Sequence, residues 1–167
     1  MEIKKLVLGS LKTNCYLVID GEKCLIIDPA SDANKIIEAC KPYRVTGILV
    51  THHHFDHVLA LKDLENAYKL KHNCHNNNGF CYEVIKTPGH TSDSLTFYFY
   101  QEGIMFTGDF LFYHTCGRCD LETSSITDMK NSLDLIKEYD DQIIIYPGHG
   151  KSSVLGEEKE LFSLYFQ

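Results

Sequence analysis

Between Thr51 and His57 the sequence reads Thr-His-His-His-Phe-Asp-His, so His52, His54, Asp56 and His57 stand within six residues of one another. Farther along come His90 in Thr-Pro-Gly-His, Asp109 in Thr-Gly-Asp and His149 in Tyr-Pro-Gly-His-Gly. Imidazole nitrogen and carboxylate oxygen are the donors that borderline ions such as Zn²⁺ prefer, and catalytic sites keep a coordination position open for water. Seven such groups, each near a glycine or at the end of an apolar run, are what two neighbouring divalent ions require. The chemistry implied is metal-dependent hydrolysis. Zn²⁺ is the expected ion, and iron or manganese can use the same donors.

The elements that must position these groups can be read from the pattern. Val45-Thr46-Gly47-Ile48-Leu49-Val50 is a short apolar run of buried-strand type, and the polar cluster begins where it stops. His52 and His54 are two apart and point the same way on an extended backbone, which sends His53 to the opposite side. Asp56 and His57 then diverge toward a second ion. Asp56 also resembles a helix N-cap, because Val58 to Leu70 reads as a helix with Leu61 and Leu64 on one side. A histidine tag would explain a histidine run, but not an internal one that follows a strand and is matched by distant Gly-His and Gly-Asp turns.

Around this loop the first third predicts antiparallel strands at Lys5–Leu8, Asn14–Asp20 and Lys23–Asp28, with Asp20-Gly21 as a hairpin turn. A helix is expected from Asp32 to Ala39, with Ile36 and Ile37 inward. In the second half, Phe80–Lys86 leads to His90, Ser94–Tyr100 is a weakly alternating strand, and Ile104-Met105-Phe106 ends near Asp109. Thr127–Lys137 carries Met129, Leu133 and Ile136 at helical spacing, a core stripe. Ile143-Ile144-Ile145 reads as a buried strand ending at His149, and Glu157–Leu164 as a last helix. The expected fold class is mixed α/β (α+β), a four-layer αββα sandwich with every ligand on loops along one sheet edge.

Composition narrows the function classes. At 167 residues, residues 1–167 are expected to form a single domain with a substantial core. No apolar run is long enough to span a membrane, and the start lacks a signal-peptide core, so a cytoplasmic location is expected. Sixteen basic residues against 23 acidic ones, with no basic stripe, disfavour a nucleic-acid partner. The expected partner is a small-molecule substrate. Of the two arginines, Arg44 and Arg118, the second lies in the metal-site segment, where a planar cation suits a carboxylate-bearing substrate. Seven cysteines without an export signal read as reduced thiols. Cys116-Gly117-Arg118-Cys119 has redox spacing but lacks a second pair. His72, Cys74, His75 and Cys81 could hold a structural metal, although Asn76-Asn77-Asn78-Gly79 between them has the composition of a plain turn.

These motifs together resemble the metallo-β-lactamase-fold hydrolases, whose signature is His-x-His-x-Asp-His followed by a His, a bridging Asp and a last His. The resemblance runs from Asn14-Cys15-Tyr16 and Ile27-Asp28-Pro29 to Pro147-Gly148-His149-Gly150. Thr87-Pro88-Gly89-His90-Thr91, Gly108-Asp109-Phe110-Leu111-Phe112 and Gly117-Arg118-Cys119-Asp120-Leu121 are similar to the short glyoxalase II-like branch. The resemblance implies one ion on His52, His54 and His90, another on Asp56, His57 and His149, and Asp109 bridging them. It implies hydrolysis of a thioester of hydroxyacylglutathione type by water activated at the metals, with Asp56 orienting that water and Arg118 holding substrate. The 18 residues after His149 are too few for the helical glutathione-binding domain of the full-length enzymes. Two other readings share the ligands: a single-iron persulfide dioxygenase using His52, His90 and Asp109, and a lactone or other ester hydrolase. A non-catalytic protein with structural metals fits less well, because closed structural sites favour Cys ligands.

Overall fold

The computed structural model describes residues 1–75 and 78–166, so Asn76 and Asn77 of the expected Asn76–Gly79 turn lie outside the described residues. The chain divides into two compact units, Met1–Phe80 and Cys81–Gln167. In the first, Glu2–Leu8 (β1), Thr13–Asp20 (β2), Lys23–Ile27 (β3) and Arg44–Leu49 (β4) form one sheet in that order. The Asp20-Gly21 hairpin forms as expected, with Gly21 at φ 58° and Asp20 paired with Lys23. β3 and β4 are parallel and are joined through helix α1 (Ala33–Cys40).

Alternation along these strands decides what packs where. Cys15, Leu17 and Ile19 of β2, Cys24 and Ile26 of β3, and Ile48 of β4 share a core with Ile36 and Cys40 of α1 and with Leu61 and Leu64. The alternate residues Tyr16, Val18, Leu25, Ile27 and Leu49 are buried as well. Strands buried on both faces read as continuous apolar runs, which is why β2 and β3 lack a clean polar alternation.

The helix expected from Val58 to Leu70 is two pieces, α2 (Phe55–Val58) and α3 (Leu61–Tyr68). The break has a visible cause: the Ala60 N–H donates to the Pro29 carbonyl at 3.1 Å instead of continuing α2. Asp56 is not the N-cap. That position belongs to His54, which makes no side-chain cap bond, and Asp56 lies in the first turn.

The second unit builds a five-stranded sheet from Glu83–Lys86 (β5), Leu95–Phe99 (β6), Ile104–Gly108 (β7), Ile144–Pro147 (β10) and Ser153–Val154 (β11), in the order β11-β10-β7-β6-β5. Leu111–Phe112 (β8) and Thr115–Cys116 (β9) form a small separate hairpin. β7 and β10 are parallel, with helix α4 (Ile126–Ile136) between them in the chain. Met129, Leu133 and Ile136 of α4 are buried with Met105, Ile143 and Ile145, as their spacing predicts. Ile144 points outward instead, one of three consecutive isoleucines on an alternating backbone. The expected last helix is also shorter: α5 spans Leu155–Lys159 and a 3₁₀ turn follows at Phe162–Leu164. Among the described residues no helix is long and apolar enough to cross a membrane. All seven cysteines are free thiols.

Candidate metal centre

In each unit candidate ligands lie just beyond the carboxyl ends of a parallel strand pair, where open α/β sheets generally bind their ligands, and His90 follows the antiparallel strand β5. The β3/β4 pair delivers Asp28 and the 51–57 segment. The β7/β10 pair delivers Asp109 and His149.

In the first unit Asp28 organises the loop. Its backbone is left-handed, φ 52°, and its N–H donates to the Leu49 carbonyl at 2.9 Å, which turns the side chain beneath the 51–57 segment. The buried carboxylate accepts three hydrogen bonds: Thr51 N–H to Oδ1 at 2.7 Å, and the Thr51 hydroxyl and His57 Nδ1 to Oδ2 at 2.7 and 2.9 Å. A carboxylate only accepts, so His57 must carry a proton on Nδ1, and in the neutral ring Nε2 is then the nitrogen that can bind a metal. The Thr51 hydroxyl spends its proton on Asp28 and therefore accepts from His52 Nδ1 at 3.1 Å. His52 is thereby fixed in the same tautomer.

The outward-facing nitrogens then meet. His52 Nε2 and His54 Nδ1 are 3.2 Å apart, close to the roughly 3.3 Å edge of a tetrahedral ion with metal–nitrogen bonds of about 2.0–2.1 Å. His57 Nε2 lies 3.6 Å from Asp56 Oδ2, and that oxygen accepts the Thr13 hydroxyl at 2.7 Å. His53 is exposed on the other side, as the alternation predicts.

The second unit uses glycines for the same purpose. Gly89 sits at φ 149°, and a Cβ there would lie 2.6 Å from the Met129 Cα. The His90 turn can therefore press against α4, whose Ser125 N–H and Ser132 hydroxyl donate to the Gly89 and Pro88 carbonyls at 2.8 and 2.6 Å. His90 Nδ1 donates to the Arg118 carbonyl at 3.0 Å, which turns Nε2 toward Asp109. At the end of β7 and β10, the Gly148 N–H donates to the Gly108 carbonyl at 2.8 Å, which sets His149 beside Asp109. Asp109 Oδ2 is 3.5 Å from His90 Nε2 and 3.5 Å from His149 Nε2. One carboxylate oxygen thus stands between two imidazoles, the disposition a bridging ligand needs.

Gly117 explains the Cys-x-x-Cys segment. A Cβ on it would lie 1.9 Å from the Asp109 carbonyl and 2.9 Å from the His90 Cβ, so only glycine fits beneath both ligands. The flanking thiols are not activated. Burial pushes Cys116 up to about 11, and burial followed by the Asp120 charge raises Cys119. Arg118 itself is exposed, and its guanidinium grips Asp120 in bidentate fashion at 2.6 and 2.7 Å. It lines a cleft of ≈ 430 Å³ with Thr115, Cys116, Cys119, Tyr165 and Phe166. His114 is exposed, with its N–H on the buried carboxylate of Glu158 at 2.8 Å.

Sequence reading missed the supporting groups. Asp28 entered only as a strand end and within Ile27-Asp28-Pro29, Thr51 only as the first residue of the ligand run, and Thr13 not at all. The available signal was an acid placed at the end of β3, which pairs in parallel with the strand leading to the histidines. Of the group around the Asn-Gly turn, Cys74, His75 and Cys81 are all exposed.

The comparisons with known proteins agree in kind. The model of the metallo-beta-lactamase superfamily matches residues 8–80 and 71–149. The hydroxyacylglutathione hydrolase of Francisella tularensis subsp. novicida is 32% identical over 170 residues, covering 89% of this chain and 68% of that protein. The solved BLEG-1 B3 metallo-beta-lactamase superposes with a TM-score of 0.91 at 24% identity, covering 99% of this chain and all of that one, a likeness of fold. TTHA1623, crystallised in a di-iron-bound form, gives a TM-score of 0.85 at 27% identity over 95% of this chain and 98% of that one.

Proposed function

The chain belongs to the metallo-beta-lactamase superfamily, and from that premise we propose that it is a dinuclear metal-dependent hydrolase acting on thioesters. His52, His54 and His90 would hold one divalent ion and Asp56, His57 and His149 the other, with Asp109 bridging. The donor set fits such ions: His52, His57 and His90 each have Nδ1–H committed to an acceptor, which reserves Nε2 for a metal. That three-fold fixing of tautomers is the observation that carries the reading. Hydrogen-bonded packing alone would not require it. When bound, such a metal pair lowers the pKa of water toward neutrality and polarises a carbonyl.

The residues of the chain supply the rest. Asp56 is held through Oδ2 by Thr13, and its carboxylate would orient the attacking water by accepting its proton. Asp109 would offset the charge of both ions with one side chain. A thiolate leaves readily without a general acid, which suits a ligand set that includes none. Arg118, on the rim of the 430 Å³ cleft, would exchange Asp120 for a substrate carboxylate. The similarity to hydroxyacylglutathione hydrolases supports a glutathione thioester as the substrate class. Free thiols throughout support a reducing, cytoplasmic setting.

Zn²⁺ is the proposed ion, with iron the alternative that the di-iron relative supports. A single-iron persulfide dioxygenase would need neither Asp56 nor the Asp28–His57 pair, so their arrangement favours two ions. The test is metal analysis of purified protein combined with a panel of glutathione thioesters, lactones and a persulfide. Thioester turnover with two ions per chain supports the proposal, and oxygen uptake with one iron per chain refutes it.

A further inference from the structure

We infer that the outer side of the ligand loop carries a second, separate metal site, formed by His53 and His72 and oriented by Glu65, that takes a borderline divalent ion such as Zn²⁺ or Cu²⁺. All three residues lie in the first unit, and none belongs to the seven-ligand set.

The geometry is that of two imidazoles on one ion. His53 Nε2 and His72 Nε2 approach to 3.3 Å. Two nitrogens on a tetrahedral ion at about 2.0–2.1 Å are separated by about 3.3–3.4 Å, and their ring centroids by about 5.2 Å. The observed centroid separation is 5.4 Å, with the rings at 67°. The two separations therefore match those that a shared ion would impose.

His72 is prepared for this role as a metal-binding histidine usually is. Its Nδ1 donates to Glu65 Oε1 at 2.9 Å, and its backbone N–H donates to the same oxygen at 3.0 Å. The other oxygen, Oε2, faces Lys71 Nζ at 3.8 Å. Hydrogen bonds from the His72 side chain, then from its backbone, hold the Glu65 carboxyl below its ordinary range, so it stays an anion. A carboxylate on Nδ1 fixes the tautomer with the lone pair on Nε2 and raises its basicity. Glu65 is mostly buried while His72 remains a third exposed, so the acceptor is fixed and the imidazole is reachable. Without an ion, His53 Nε2–H donates to that lone pair. On binding, the His53 proton moves to its Nδ1, and no net proton is released. Water completes the coordination shell, so the site is weaker than one with three protein ligands.

The test uses the full chain, dialysed to equilibrium against buffers of graded free Zn²⁺, with zinc per chain counted by mass spectrometry. Wild type should bind one ion more than His72→Ala at saturation. Glu65→Gln should keep that ion but need about 10- to 100-fold more free zinc to fill it. Because the readout is a difference between variants, it stands whether the seven-ligand set holds two ions, one or none. Loaded with Cu²⁺, the wild type should show electron paramagnetic resonance splitting from two imidazole nitrogens at a site that His72→Ala lacks. Equal zinc counts in wild type and His72→Ala would reduce the pair to an ordinary histidine hydrogen bond and overturn the inference. If His72→Ala loses its native circular dichroism, His72→Gln gives the same comparison.

Discussion

Replacing Asp28 by Asn tests the tautomer logic with little disturbance of shape. Asparagine tolerates the left-handed backbone at φ 52°, where alanine would be strained. Its amide oxygen can keep the bond from Thr51 N–H, but its NH₂ then faces two donors, the Thr51 hydroxyl and His57 Nδ1–H. The relief open to His57 is to move its proton to Nε2, which removes the lone pair an ion needs. A hydrogen bond to a charged partner is worth about 1.5–3 kcal/mol. Such supporting partners typically change metal affinity by about 10- to 100-fold, and that range converts to about 1.4–2.7 kcal/mol. The two figures agree, so the ion on His57 should weaken by that factor, and the ion on His52 should weaken with it, because the Thr51 hydroxyl that fixes the His52 tautomer loses its acceptor. The assay is competition of stepwise metal loading against a chromogenic chelator. Hydrolysis should fall at limiting metal and recover with excess. Two ions retained at wild-type affinity would refute the proposed role of Asp28.

Asp109→Asn should lower kcat by orders of magnitude with little change in circular dichroism, because an amide cannot offset the charge of two ions; near-normal turnover would remove it as the bridge. Gly117→Ala should abolish tight metal binding, since its Cβ would overlap the Asp109 carbonyl, and retained metal affinity would contradict this. Arg118→Ala should raise KM severalfold for carboxylate-bearing thioesters and change kcat less; an unmoved KM would leave Arg118 as the partner of Asp120 alone. With its thiol near 11, Cys116 has about one part in 10⁴ as thiolate at pH 7, so iodoacetamide should label exposed Cys74 and Cys81 well before it, as peptide mass mapping would check.

The candidate ligands were legible because their chemistry is local: imidazoles and carboxylates concentrated after apolar runs have few other uses. Strands were legible where turns punctuate them, as Asp20-Gly21 does. What escaped depends on partners distant in the chain. The break between α2 and α3 comes from the Pro29 carbonyl, which captures the Ala60 N–H across 31 residues. Asp28 is silent in sequence because its meaning depends on β3 lying parallel to β4. Gly117 looked like a spacer between two cysteines, yet it is fixed by the carbonyl of Asp109 and the ring of His90. The final helix failed for another reason: its apolar residues are spent on short α5 and a 3₁₀ turn that anchors Phe162 in the core.

The most direct measurement is to strip His72→Ala protein of metal, return Zn²⁺ in fractional equivalents, and follow hydrolysis of a hydroxyacylglutathione thioester. That variant keeps all seven central ligands and removes the outer pair from the count. A dinuclear thioesterase predicts little activity through the first equivalent, a steep rise through the second, and a plateau at two ions per chain. Full activity at one equivalent, or no thioester hydrolysis at two, would contradict it.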